Sequence, residues 1–230
     1  MPQVRKYNKR KQYRRKKYVP GIGGAIGRVA KVGMGYVNKG GIAWKALRLA
    51  RKVANAVNVE YKHLNILDTS TASYNGYFAQ LNNCLQGTTD SNRIGDSIKC
   101  QNLTLRATMT RAGSTDSKVR CLVIWDKQAK TTSASDVLEQ TGNSYAPLSP
   151  KNYDKRFQTK VLFDRTVILT SNDPQREIDV VIPIDQHTQY VGASNVVNTG
   201  FLGLIFISDQ VAGSTAPVIQ YYARMTFTDN

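Results

Sequence analysis

Acidic residues are missing from the first quarter of this sequence. Residues 1–59 contain 16 lysines and arginines and no aspartate or glutamate, whereas residues 60–230 contain 16 residues of each sign. The net charge of +16 therefore belongs entirely to the N-terminal segment. Because the surplus is confined to one end, it indicates a tail that binds a polyanion and not a general solubility device.

Long apolar runs and a cysteine framework are also lacking. The longest strongly apolar run, residues 201–207, has the length of a strand and falls far short of the roughly 18 residues that span a bilayer. No apolar region or cleavage pattern follows the first basic residues, so we expect no secretion signal. The three cysteines, Cys84, Cys100 and Cys121, have neither disulfide-framework nor metal-knuckle spacing, and we expect reduced thiols.

Histidine is scarce, and this argues against most catalytic arrangements. Neither His63 nor His187 has a Cys, Asp or Glu at the spacing of a metal site or a triad. The glycines of residues 21–27 and 35–41 lack the remaining elements of a dinucleotide loop and of a phosphate loop. The carboxylates of the predicted strands and turns define no general-acid pair. These carboxylates are Asp164, Asp173, Asp179 and Asp185. We therefore expect no catalytic residue, no cofactor and no metal site.

Residues 1–41 have the composition of a disordered, basic arm. Residues 1–19 hold nine lysines and arginines interleaved with Tyr7, Tyr13 and Tyr18, with too little aliphatic content to bury anything. Residues 20–41 contain eight glycines, which are entropically costly to fix, so they predict a flexible linker.

Residues 42–59 predict a basic amphipathic helix. Five apolar residues recur at helical spacing, and Lys45, Arg48 and Lys52 fall on the opposite side. The apolar residues are Ala43, Leu47, Ala50, Ala54 and Val57. We expect one face of this helix to lie on the rest of the chain, residues 60–230, which we call the body, and the other to point at phosphates. A surface-active, membrane-disrupting role is the rival interpretation, with Trp44 and Tyr36 at a lipid interface. The apolar stripe is mostly alanine and would insert poorly, so we expect no stable membrane insertion.

The arm and the helix together predict a binding site for single-stranded nucleic acid. Lysine and arginine neutralise phosphates and release counterions, and tyrosines beside them stack on unpaired bases. The predicted contact residues are Arg5, Lys6, Tyr7, Lys9, Arg10, Lys11, Tyr13, Arg14, Arg15, Lys16, Lys17, Tyr18, Arg28, Lys31, Lys39, Lys45, Arg48, Arg51 and Lys52. Within this set, the clusters Lys9-Arg10-Lys11 and Arg14-Arg15-Lys16-Lys17 also satisfy a nuclear-import pattern.

Residues 60–230 predict one all-β domain. Leu103, Leu105, Ala107 and Met109 alternate with polar residues, as do the apolar residues of segments 177–184 and 219–228. Five further strand candidates are residues 61–68, 77–81, 118–126, 161–169 and 200–208. Only residues 135–140, with Ser135 as the cap, predict a short helix. Eight strands without alternating helices favour a single antiparallel jelly roll, a form of β-sandwich.

A succession of short motifs gives the chain a family resemblance. These motifs occupy residues 43–47, 58–62, 93–98, 103–106, 119–127, 155–157 and 161–164. In this order they resemble the capsid proteins of small viruses with circular single-stranded DNA genomes. These capsid proteins are similar to satellite tobacco necrosis virus-like coat proteins. The resemblance implies one jelly roll, self-assembly into a small icosahedral shell, and an arm turned inward onto the genome.

The resemblance thus implies a structural protein of the virion that passes through the host nucleus during assembly. The simplest shell has 60 copies (T=1), which we take as the expected form. Preference for genomic DNA over RNA comes from the resemblance alone, because an arm that reads phosphates carries little information about the sugar. A coat protein of a satellite RNA virus and a cellular nucleic-acid-binding β-sandwich protein are the alternatives. The sequence does not identify a host receptor.

Overall fold

The computed structural model describes residues 60–229, in which nine strands form two antiparallel sheets. The arm predicted over residues 1–41 and the helix predicted over residues 42–59 lie outside this range. The strands are β1 (Lys62–Thr71), β2 (Tyr77–Gln80), β3 (Ser97–Thr110), β4 (Ser117–Asp126), β5 (Thr159–Leu169), β6 (Gln175–Tyr190), β7 (Val197–Thr199), β8 (Phe201–Ser208) and β9 (Val218–Asp229). The domain is therefore all-β, as the alternating pattern predicts.

The strands pair in a nested order. The first sheet runs β1-β9-β3-β6-β7 and the second runs β2-β8-β4-β5. Strands near the two ends of the described residues pair with each other, β1 with β9 and β2 with β8, while β3 pairs with β6 and β4 with β5. Each sheet thus contains strands from both halves of the body, so neither half completes a sheet alone.

The core lies between the two sheets. Leu103, Leu105 and Met109 on β3 are fully buried, and they alternate with partly exposed Thr104, Thr108 and exposed Arg106. All eight residues of β8 are buried, because a second, smaller apolar cluster that includes Val137 and Leu138 covers the other face of the second sheet. Burial of apolar side chains at both sheets is the main force that holds them together.

Several strand boundaries differ from those predicted from the sequence. All eight predicted strands are present, but β3 starts at Ser97 and β6 continues to Tyr190, and the three-residue β7 was not predicted. The helix predicted at residues 135–140 is wrong: a single 3-10 turn, Ala134–Asp136, stands there. Its first residue follows Ser133, whose hydroxyl donates to Asp136 Oδ2 at 3.1 Å, so Ser133 takes the place assigned to Ser135.

An irregularity in the β3–β6 pairing explains why the start of β3 differs from the predicted one. Cys100 faces Gln186 and Asn102 faces Pro183, so two residues of β6 lie opposite one residue of β3. One of these two, Asp185, has a positive φ of 48°. Pro183 has only β3 as its neighbour, since β7 pairs with Gln189 and Tyr190 alone. Proline is tolerated at such an edge because no ladder hydrogen bond is lost there.

Candidate functional site

The residues predicted to bind nucleic acid, from Arg5 to Lys52, lie outside the described residues. The same holds for the nuclear-import clusters and for the predicted amphipathic helix. Their roles therefore stay predictions.

The first described residues are fixed to the end of the chain. Lys62, 4% exposed in its side chain, donates from Nζ to the carbonyl oxygen of Asn92 at 3.0 Å and forms an ion pair with Asp229. Asp229 also accepts a 3.1 Å hydrogen bond from the backbone N–H of Ile94 through Oδ1. The first residue of β1 is thus tied to the last residue of β9 and to the β2–β3 connection.

A buried arginine joins two connections at one end of the body. The Arg93 side chain is fully buried, and its Nη2 donates to the carbonyl oxygens of Gly192 at 2.6 Å and Ser194 at 2.7 Å. Its other donors reach the carbonyls of Cys84 and Gly95, and its guanidinium lies 4.3 Å from the Tyr190 ring centroid. Because all its partners are protein groups, Arg93 holds these connections in one geometry and is not available to a ligand.

An amide continues this network into the core. The Asn82 side chain donates from Nδ2 to Gly200 O at 2.8 Å and to Thr188 Oγ1 at 3.0 Å, and its Oδ1 accepts from the N–H of Leu202. Tyr190, which stacks on Arg93, donates to Asn82 O at 2.9 Å. Burial is the largest influence on the Tyr190 hydroxyl and raises its pKa. The connections at this end are therefore held together by buried hydrogen bonds between residues that are remote in sequence.

A buried carboxylate closes the turn after β4. The side chain of Asp126 accepts hydrogen bonds from the backbone N–H groups of Gln128, Lys130 and Thr131 at 2.7–2.8 Å. The Thr131 hydroxyl and Gln158 Nε2 add two more. Burial alone would raise the pKa of Asp126, but these hydrogen bonds outweigh it and lower the pKa below its ordinary value. The carboxylate oxygens of Asp126 accept these hydrogen bonds within and beside the turn, and they do not form an acid–base pair.

The four carboxylates considered as general acids are all ion-paired. Asp164 binds Arg120 at 2.6 and 2.8 Å, Asp179 binds Arg106 at 3.2 Å, and Asp185 binds Lys99 at 2.6 Å. Asp173 pairs with Arg176. Hydrogen bonding to Lys99 is the first cause of a lowered pKa at Asp185. The structure brings none of the four together, and it pairs each with a cation of the body.

The two histidines do not meet. His63 lies exposed on β1, with Nδ1 3.2 Å from Thr226 Oγ1, and His187 lies exposed on β6. Two strands, β9 and β3, separate them in the sheet. Within residues 60–229, no cluster of three or more His, Cys, Asp or Glu residues has the arrangement of a metal site. In the same range, no helix is long and apolar enough to cross a membrane.

The cysteines are separate buried thiols. Cys84, Cys100 and Cys121 are all free, as their spacing predicts. Burial raises the pKa of all three thiols, and that of Cys100 reaches about 12. A thiol so far from ionisation is a poor nucleophile, so these residues act in packing.

Comparisons with known proteins give only distant likenesses. No protein-family model matches the sequence, and no curated protein matches it. A structure of Desmodium yellow mottle tymovirus is similar at 12% identity and a TM-score of 0.36, over 74% of this chain and 88% of that chain. The capsid of cyanophage Pam1 is similar at 9% identity and a TM-score of 0.31, over 75% of this chain and 86% of that chain. A structure of Bacillus endospore appendage pili is similar at 7% identity and a TM-score of 0.26, over 75% of this chain and 92% of that chain. With TM-scores this low, the likenesses carry no argument about this chain.

Proposed function

We propose that this chain is the capsid protein of a small virus with a single-stranded DNA genome. It assembles with copies of itself into a closed icosahedral shell and binds the genome through the lysines and arginines of residues 1–52. The partition of charge is the observation on which the proposal rests, with 16 cations and no acid in residues 1–59 and 16 residues of each sign afterwards. Such an arm binds phosphates whatever their sequence.

Ion pairing within the body supports the proposal that the N-terminal segment binds the genome and the body forms the shell. Lys62, Arg106 and Arg120 each lie within 4.0 Å of a carboxylate of the body, and so do Lys99 and Lys155. Cations neutralised in this way attract phosphates weakly, whereas those of residues 1–59 have no acid nearby in sequence. Copies of an electrically balanced body pack side by side without charge repulsion.

The order of the strands supports a jelly roll as the fold of the body, the part of each copy that forms the shell. A jelly roll arises when a long antiparallel ribbon is wrapped so that strands pair from the chain ends inward. The pairs β1–β9, β2–β8, β3–β6 and β4–β5 follow this rule, and β7 is an addition at the sheet edge. Shell assembly requires a rigid unit with fixed loops, and Arg93, Asn82 and Asp126 supply that rigidity.

The proposed mechanism couples assembly to nucleic acid. In a T=1 shell of about 60 copies, 16 surplus charges per chain amount to roughly 960 positive charges inside, which neutralise on the order of a thousand phosphates. Arms crowded together repel one another until a polyanion is present. Tyr7, Tyr13 and Tyr18 stack on unpaired bases, which favours a single-stranded genome. The import clusters at residues 9–17 carry the protein to the host nucleus, where the DNA is packaged.

Electron microscopy of the purified full-length protein tests the proposal. We expect closed particles of uniform size when single-stranded DNA is supplied, and DNA inside them that resists added nuclease. After the shell is opened, deoxyribonuclease digests the cargo of a DNA virus, whereas a satellite RNA virus protein yields RNA. A protein that stays monomeric or dimeric at high concentration with nucleic acid present is instead a cellular binding protein, and this result contradicts the proposal.

A further inference from the structure

The β4–β5 connection carries an exposed stack of three planar side chains. The guanidinium carbon of Arg156 lies 3.6 Å from the ring centroid of Tyr153 and 4.5 Å from that of Phe157. Tyr153 is 64% exposed and Phe157 is 75% exposed. Arg156 Nη1 also donates to the Tyr153 carbonyl at 2.9 Å, which fixes the order of the stack. We call Tyr153, Arg156 and Phe157 the aromatic knob.

The aromatic knob is held rigidly from below. Lys155, inside the same turn, reaches Asp136 Oδ1 at 2.5 Å, and the backbone N–H of Asn152 donates to Val137 O at 2.7 Å. The N–H of Thr159, the first residue of β5, donates to Lys155 O at 3.1 Å. A preformed surface of this kind loses little conformational entropy on binding.

The composition of the aromatic knob is that of an interface anchor. Tyrosine and arginine are enriched among the residues that carry most of the energy of protein–protein contacts. Arg156 has no carboxylate within ion-pair distance among residues 60–229. The matching surface should therefore offer apolar contact for the rings and a carboxylate for Arg156.

The exposed face of the first sheet offers both. A groove of about 330 Å³ crosses this face, with Leu67 and Tyr222 toward one side and Glu177 and Asp179 toward the other. Leu67 on β1 stands opposite Tyr222 on β9, and this row continues through Arg106 on β3 to Asp179 on β6. Leu67 is 81% exposed and lies with Tyr222 in the lining of the groove, so the two side chains offer apolar contact there.

Glu177 is the carboxylate of the groove that is left without a cation. Asp179 already binds Arg106 at 3.2 Å, whereas Glu177 forms no ion pair within the described part of the chain. An exposed arginine without a carboxylate and an exposed carboxylate without an arginine thus lie on two different surfaces of one chain. Each surface has apolar side chains beside its charge.

A single copy cannot join these two surfaces. The aromatic knob precedes the first residue of β5, and Glu177 is the third residue of β6, beyond the far end of β5. Since β5 has 11 residues, the two surfaces are separated by about 30 Å along the strand direction. The groove also faces away from the second sheet, because the inner faces of the two sheets form the core.

We propose that the aromatic knob of one copy docks in the groove of a neighbouring copy, with its rings against Leu67 and Tyr222 and Arg156 beside Glu177. Such a contact is heterologous: every copy offers one aromatic knob and one groove, so it repeats from copy to copy, and in the proposed closed shell this repetition forms a ring. The inference rests on the proposed shell and names the contact that builds it.

A charge exchange tests the contact in the full-length protein. Arg156→Glu and Glu177→Arg each place two like charges at the interface, so we expect each to lower the yield of closed particles at least tenfold. The double variant R156E/E177R restores an opposite pair, and we expect it to assemble again. Phe157→Ser, which removes one ring of the stack, should lower the yield as well. Arg165→Glu reverses another exposed arginine, on β5, and should assemble like the parent protein.

The outcomes separate this inference from the proposed function. If the parent protein forms no particles at all, the proposed shell is wrong and the contact falls with it. If the parent assembles and both single charge reversals assemble equally well, only the proposed contact is wrong. The same holds if the double variant does not recover although circular dichroism shows every variant folded. Normal particles of R156E without nucleic acid inside would assign the aromatic knob to the genome and overturn the contact.

Discussion

Lys62 Nζ lies 2.9 Å from Asp229 Oδ2, an ion pair between the first residue of β1 and the last residue of β9. The lysine side chain is 4% exposed and the aspartate side chain 20% exposed. Asp229 also holds the N–H of Ile94. The carboxylate of Asp229 thus joins the start of the body to its end. Lys62 follows closely in sequence after the segment that carries the net positive charge.

Asp229→Asn should destabilise the body by about 2 to 4 kcal/mol, because it leaves the buried Lys62 ammonium without a compensating negative charge. Urea unfolding of the full-length variant measures the loss. Asp90→Asn, which neutralises an exposed carboxylate in the neighbouring connection, serves as the control and should leave the midpoint unchanged. Equal midpoints for D229N and the parent would show that the pair contributes nothing.

Asp136 gives the stability a defined dependence on acid. Burial raises the pKa of this carboxyl group, but hydrogen bonds from Lys155, Thr132 and Ser133 outweigh it and lower the pKa from 3.8 to about 2. The stabilisation by the carboxylate is therefore complete above about pH 4 and is lost as the pH falls to about 2.

Asp136→Asn should accordingly cost about 1 to 2 kcal/mol at pH 7 and progressively less below pH 4. Urea unfolding at pH 7, 4 and 2.5 checks this convergence against Asp154→Asn, an exposed carboxylate of the same connection. A difference between D136N and the parent that stays constant down to pH 2.5 would contradict the assignment.

Removal of the Arg93 guanidinium should be among the most damaging single changes in the body. Arg93→Met keeps the apolar stem but leaves the carbonyls of Cys84, Gly95, Gly192 and Ser194 without this donor. The expected loss is at least about 3 kcal/mol. Arg165→Met, at an exposed site, should cost less than about 0.5 kcal/mol. A thermal midpoint of R93M within a degree of that of R165M would show that water replaces the guanidinium.

Gly200 and Gly192 form a matched pair of glycines with positive φ, 74° and 54°. A Cβ added at Gly200 would overlap the carbonyl oxygen of His187 and lie 2.7 Å from Trp125 Cζ2, whereas a Cβ at Gly192 meets nothing within 4 Å. Gly192→Ala should therefore cost only the backbone penalty of about 1 to 2 kcal/mol, and Gly200→Ala clearly more. Unfolding midpoints rank the two, and equal losses would contradict the steric argument.

The strands were predictable because their pattern is local. Leu103, Leu105, Ala107 and Met109 point to one face by period two alone. The first residues of β3 escaped prediction because the alternation breaks at Gln101, opposite the two residues of β6 that include Asp185. β7 has only three residues, too few for any period to show.

The rigid network was not predictable, because its partners are remote in sequence. Arg93 binds carbonyls 99 and 101 residues away, and Asn82 binds Gly200 118 residues away. In the sequence, Arg93 is a motif residue of a resemblance and gives no sign of burial. Tyr153 and Phe157 flank Lys155 and Arg156 in a stretch whose exposure depends on how the turn folds.

Removal of residues 1–41 should separate packaging from folding. The truncation deletes twelve of the sixteen N-terminal cations and touches no residue that contributes to the described core, so the urea midpoint of the body should not change. Binding to single-stranded DNA should weaken, and its dependence on salt should flatten, because the slope falls by about 0.7 for each phosphate that is no longer neutralised. A full-length variant with the nine lysines and arginines of residues 5–17 changed to glutamine keeps the length and the tyrosines. If charge is the cause, this variant should package little DNA too, as measured by absorbance of purified particles. Normal packaging by the truncated chain would show that the body alone holds the genome.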